Sequence, residues 1–446
     1  ESGARTLMLT GTNTTGVNII AAAIGDFGGA TSVTIDGDAT WLLTGANTYT
    51  GATTLSSGVL QIGGSILDSA LIIGLHATLE LNGLNASIQS LAGSGTVRNN
   101  SATAATLTLG GNNSSTAFSG TIQDGGTGAL SLLKLGTGTF TISGNNTYSG
   151  TTTISAGVLQ IGTGSTSGTL GTGNVINNAS LTINRSDALT LANAITVSAG
   201  TRTLLSPQAN GGSSGTATIN FGGALTINAG GILTLGTPGA NAAYGTANGA
   251  LIFGAAAISG TKFQLNGNSF TVTGLSTNAT PGTATVENGS TTAAILTVAL
   301  AASTTNTYAG TLRNGGTGTL ALTLNGAADS VLTLSGANTF TGATTVTSGT
   351  LVLANSLALQ GSNVTTGGTG IVFDSSVASH TFTFGGLSGT TNLALTDNAS
   401  GAVTLIIGNN GISQTYSGVL SGGGGLTKVG SGTQTVSTAQ TYTGAT

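Results

Sequence analysis

The nineteen residues GANTYTGATTLSSGVLQIG at 45–63 return almost letter for letter as GNNTYSGTTTISAGVLQIG at 144–162. A third copy, GANTFTGATTVTSGTLVLA, occupies 336–354, and TAQTYTGAT at 438–446 is a truncated fourth. The aromatic of each copy falls at Tyr49, Tyr148, Phe340 and Tyr442, so the first two lie 99 residues apart and the last two 102, with a middle gap nearly twice as long. A chain written this way is built from one multi-strand unit stacked on copies of itself, with a super-period of about 100 residues. A second block precedes the aromatic in three copies: FSGTIQDGGTGAL at 118–130, YAGTLRNGGTGTL at 308–320 and YSGVLSGGGGL at 416–426. Between 163 and 300 the repeat is degenerate, although SLTINRSDALTLANAITV still reads as strands. The expectation is one continuous solenoid over 1–446.

Aligned, the copies expose apolar columns. Trp41, Phe140 and Leu332 share one position, and Leu43, Ile142 and Leu334 share the next but one. Past the turn, Leu60, Leu159 and Leu351 align, followed two residues on by Ile62, Ile161 and Leu353. A spacing of two is a strand with one buried face. Glycine recurs at Gly51, Gly150 and Gly342, and again at Gly58, Gly157 and Gly349, where turns need positive φ or a close backbone approach. No 3.6-residue pattern is sustained, so the chain is all-β.

Two architectures accommodate such strands, tandem sandwiches and a parallel β-helix. A sandwich fills a layer about 10 Å thick, usually with aromatics. Aromatics are only 4% here and tryptophan occurs once. Short Leu, Ile and Val strands with small residues at the corners suit coils stacked about 4.8 Å apart. The composition therefore favours a parallel β-helix, a single elongated rod of about twenty coils of roughly 20–25 residues.

Chemistry is sparse. Eight basic residues are scattered, so no phosphate-tracking stripe forms and nucleic acid is set aside as a partner. The longest apolar run, AAILTVAL at 293–300, is far short of a membrane-spanning helix. Cysteine is absent, which excludes disulfides and thiolate metal sites. Of twelve acids only Asp36 and Asp38 are close in sequence, and the glycine between them points to a solvated turn rather than a metal or catalytic pair. His76 and His380 stand alone, without a nucleophile or metal motif. Glycine doublets such as GGTG at 125–128 open no helix and so cradle no phosphate. The expectation is no catalytic residue, no metal and no cofactor. Tyr49, Tyr148, Phe340 and Tyr442 read as packed corner aromatics rather than a sugar-stacking ladder, and they join the motif glycines as structural residues.

The pattern G-x-N-T-[YF]-[ST]-G-x-T-T-[LIV]-x-x-G-x-L-x-[LIV] at 45–62, 144–161 and 336–353 resembles the autotransporter-associated β-strand repeat of bacterial passenger regions. The resemblance implies a right-handed β-helix exported to, or released from, the surface of a Gram-negative-type cell. It also implies that this chain is an interior segment of a longer passenger, lacking leader, anchor and membrane barrel. The leading expectation is a non-enzymatic stalk, spacer or adhesive surface, contacting a host or neighbouring cell or its glycans. Self-association, head-to-tail into a fibre or lateral, is the alternative, because the low charge and uncapped ends favour it. A polysaccharide-degrading β-helix enzyme and an ice- or mineral-binding threonine array are the remaining readings.

Overall fold

The structure, a computed structural model, describes residues 3–63, 69–187, 189–197, 202–208, 217–228, 231–236, 242–254, 260–277, 284–367 and 370–446. Two compact units emerge: residues 1–196, 203–219 and 238–243 form one, and residues 197–202, 220–237 and 244–446 the other. Among the described residues all forty-six regular elements are strands and none is a helix. Every described ladder between strands is parallel; a single isolated bridge, Thr396 to Ala402, runs antiparallel. Each unit is thus a parallel β-solenoid. The sandwich is excluded, since its sheets are antiparallel.

Among the described residues the turns number about 17, fewer than the twenty that coils of 20–25 residues would give. Several coils are longer than the motif coil. Ile232 pairs with Lys262, thirty residues on, whereas Thr139 meets Val158 after nineteen. That second pairing shows what one motif does. Strand Thr139–Ile142 leads into the corner, strand Thr152–Ile154 crosses to another face, and Val158–Ile161 returns to lie directly on Thr139–Ile142. One motif copy closes one coil.

The columns found by alignment are stacked rungs. Phe140 pairs with Leu159 and Ile142 with Ile161; in the second unit Leu332 pairs with Leu351 and Leu334 with Leu353. All eight are buried, each contributing about 1.5–3 kcal/mol of apolar burial. Trp41 departs from its column. It pairs with Leu60 but is only half-buried, and its indole Nε1 has no hydrogen-bond partner among the described residues.

Candidate functional site: the repeat corner

The corner of the second motif is fastened by Asn146. Its Oδ1 accepts the Ile122 N–H at 2.8 Å and its Nδ2 donates to the Thr169 carbonyl at 2.7 Å. Those partners lie 24 residues before it and 23 after it, so one buried amide joins three successive coils. Asn338 repeats the arrangement, accepting the Leu312 N–H at 2.8 Å and donating to the Ala358 carbonyl at 2.9 Å. Asn47 accepts the Ile24 N–H at 2.9 Å. Where the fourth copy reads AQTY, Gln440 takes the place, accepting the Leu420 N–H at 2.6 Å. A buried backbone group left unpaired costs about 1–3 kcal/mol, which explains why an amide stands there.

The aromatic lies two residues on and faces inward. Tyr49 and Tyr148 are fully buried, their hydroxyls 2.7 Å from Thr53 Oγ1 and Thr152 Oγ1, the first threonine of the T-T pair. Burial pushes both phenols up, opposed by the threonine hydrogen bond. Phe340 is equally buried but has no hydroxyl, and Thr344 turns instead to Ser362 at 2.8 Å. Tyr442 is half-buried.

The serine or threonine after the aromatic also has a partner one coil back. Asp124 Oδ1 accepts the N–H groups of Ser149 and Leu130; Asn314 Oδ1 accepts those of Thr341 and Leu320. Asp26 plays the same part for Thr50 and Thr31, and its carboxyl is held below the usual range by the Thr50 hydroxyl and the Thr31 N–H. The second sequence block thus supplies the latch for the first.

The glycines are where coils come closest. A Cβ on Gly144 would run into the Gly120 carbonyl oxygen, and one on Gly336 into that of Gly310. Gly51, Gly150 and Gly342 likewise face the carbonyls of Thr31, Leu130 and Leu320. Gly58, Gly157 and Gly349 turn the chain at φ of +74°, +66° and +87°.

A few charged side chains are buried or paired. Glu80, buried, accepts from Gln61 Nε2 at 2.8 Å and from the Arg98 guanidinium, its neighbours on adjacent rungs. Glu287 occupies a comparable ladder, taking bonds from Gln264 at 2.7 Å, Arg313 at 2.6 Å and Lys262 at 3.2 Å. Burial alone would push the Glu287 carboxyl up, but these donors outweigh it and hold it below the usual range. Lys134 is buried with Nζ on the carbonyls of Leu135 and Gly136 at 2.5 and 2.9 Å, and burial pulls its pKa down. His380 Nδ1 lies 2.7 Å from Asp397 Oδ2, and that carboxylate also accepts the Ala399 and Gly401 N–H groups. Asp36 is exposed at a strand end and accepts the Ser57 hydroxyl at 3.1 Å; Asp38 and His76 are exposed as well. Among the described residues no three His, Cys, Asp or Glu gather as metal ligands, and no helix is long and apolar enough to cross a membrane.

Residues 33–62, 132–161, 329–353 and 426–446 match the passenger-associated-transport-repeat family. Three of these segments take in two strands ahead of the motif read from sequence and the segment 329–353 takes in one; the first three end with the returning strand, so they include the pair of strands that stack. An autotransporter adhesin of Brucella suis biovar 1 (strain 1330), BmaC, is 44% identical over 87 residues. That match covers 19% of this chain and 2% of the adhesin, so the chain spans a small fraction of that relative's length. No solved structure matches.

Proposed function

From a chain that carries the passenger-associated-transport repeat in four places, we propose that it is a structural, non-enzymatic segment of a secreted or cell-surface autotransporter-like protein, and that its outer faces serve adhesion. The observation that carries this reading is how the repeat spends its polar residues. Asn146, Asp124 and their counterparts bond backbone groups of neighbouring coils, and the buried Tyr148 hydroxyl bonds Thr152 within its own corner. The repeated residues hold coils together, which leaves the outward residues of the strands to meet the surroundings. Similarity to an adhesin supports the same role.

Beads coated with the purified chain test it. The expected result is retention on cultured cells or on cell-wall material well above that of albumin-coated beads. Retention no better than albumin, with the solenoid intact by circular dichroism, overturns the adhesive role. Head-to-tail fibre formation is the competing reading, and sedimentation velocity at rising concentration separates the two: an adhesive segment stays at one size.

A further inference from the structure

In the second unit the parallel register lines up one outward hydroxyl per coil. Thr271 pairs with Thr297, Thr297 with Thr323, Thr323 with Thr345, Thr345 with Thr365, and Thr365 with Ser388. The register of Gly389 against Tyr416 carries the line on to Thr415, which pairs with Thr435. None of these side chains is buried, because each sits out of phase with the core residues beside it. Thr365 Oγ1 and Ser388 Oγ are 3.0 Å apart. The strands that contribute carry no Asp, Glu, Lys or Arg.

We propose that this hydroxyl ladder is a binding track for a neutral, extended polysaccharide chain. The proposal rests on the adhesive reading above and names its ligand. Strands stack about 4.8 Å apart, a spacing close to the advance of one sugar along an extended β-linked glycan. Each rung carries a hydroxyl, a group that both donates and accepts as sugar hydroxyls do. Those of Thr365 and Ser388 already bond each other, and Ser388 also bonds Asn363 Nδ2 and the Val364 carbonyl, so the other six rungs present the open hydroxyls. Beside the ladder, Ile295 is 44% exposed, with Ala321 and Ala343 on the following coils, giving sugar C–H faces an apolar border.

Three other occupants fit less well. A strip eight rungs long and two residues wide on either side covers about 440 Å², well under the roughly 800 Å² per partner of a stable protein interface, which disfavours a second copy. An anionic polymer would find no cation on these strands. An ice surface calls for order in two dimensions, and here only one column is regular: the column beside it runs Ile295, Ala321, Ala343 and Asn363. A one-dimensional ladder matches a one-dimensional polymer.

Calorimetric titration of the full chain with cello-, manno- and xylo-oligosaccharides of increasing length tests this. With one rung per sugar, affinity for at least one series is expected to rise with length and level off at about eight sugars. The double variant Thr323→Val/Thr345→Val keeps shape and strand propensity while removing two hydroxyls, and is expected to bind about tenfold more weakly. Unchanged binding by that variant, affinity independent of length, binding to heparin alone, or no binding to any neutral series overturns the proposal. So does a sedimentation shift from dimer to monomer on making the variant, or inhibition of ice growth by the parent chain. Coated beads that adhere equally well with and without the two substitutions overturn it while the adhesive reading stands. Beads that adhere to nothing overturn both.

Discussion

Asn146 satisfies two backbone groups on different coils, and this makes its loss asymmetric. Replacement by alanine leaves the Ile122 N–H and the Thr169 carbonyl without their partner, a cost of about 2–5 kcal/mol. Its exposed neighbour is a control: Asn145→Ala should stay within about 0.5 kcal/mol. Denaturant titration of both variants checks the contrast, and equal midpoints would remove the amide from the account. The tyrosine hydroxyl grades differently between copies. Thr53 bonds Ser69 at 2.8 Å as well as Tyr49, so Tyr49→Phe leaves it partnered. Among the described residues no second side-chain partner stands by Thr152, and Tyr148→Phe should cost about 1 kcal/mol more than Tyr49→Phe, read from the same titrations. Phe340 with Ser362 shows the protein using the cheaper solution already.

At the level of the element, the ladder around Glu287 ties stability to pH. Its carboxyl is held low in the folded state, so its contribution is present above the unfolded carboxylate range, near about pH 4.3, and is lost as pH falls through the depressed folded value. Glu287→Gln should flatten the acid side of the stability curve and leave its slope at neutral pH unchanged, as measured by denaturation across pH 3 to 7. Strands were the legible part of this chain. Phe140 over Leu159 and Ile142 over Ile161 follow from a period of two and from alignment of copies. The staples were not legible. Asn146 binds a backbone N–H and a carbonyl, groups that nearly every residue has, so its partners leave no trace in the sequence. The latch of Asp124 on Ser149 spans 25 residues and links two blocks that alignment treats separately. Trp41 misled because its column predicted burial, while the residue is only half-buried, with its indole Nε1 enclosed and without a hydrogen-bond partner among the described residues.

Across the whole molecule, each coil contacts mainly the coils before and after it, so damage should stay local. Hydrogen exchange of Asn146→Ala is expected to show lost protection in the coils around 122–169 and unchanged protection over 305–353; loss everywhere would contradict nearest-neighbour stability. Alkali provides a collective test. Burial raises the phenols of Tyr49, Tyr148, Tyr244 and Tyr308, and pushes Tyr416 up to about 12. A folded value above the unfolded one means stability is whole below about pH 10 and falls as pH rises beyond it. Absorbance at the phenolate band should therefore rise together with loss of the β-sheet signal for these five tyrosines, rather than ahead of it.

The motif enters and leaves on the same pair of rungs, Thr139–Ile142 and Val158–Ile161. Nineteen residues separate the two rungs, so a tandem duplication of the DNA for 139–157 would insert one full turn, its new first strand stacking on Thr139–Ile142 and Val158–Ile161 stacking on it in turn. Slippage during replication can thus lengthen or shorten the protein without inventing a new junction, and reach becomes a trait that heredity adjusts in whole steps.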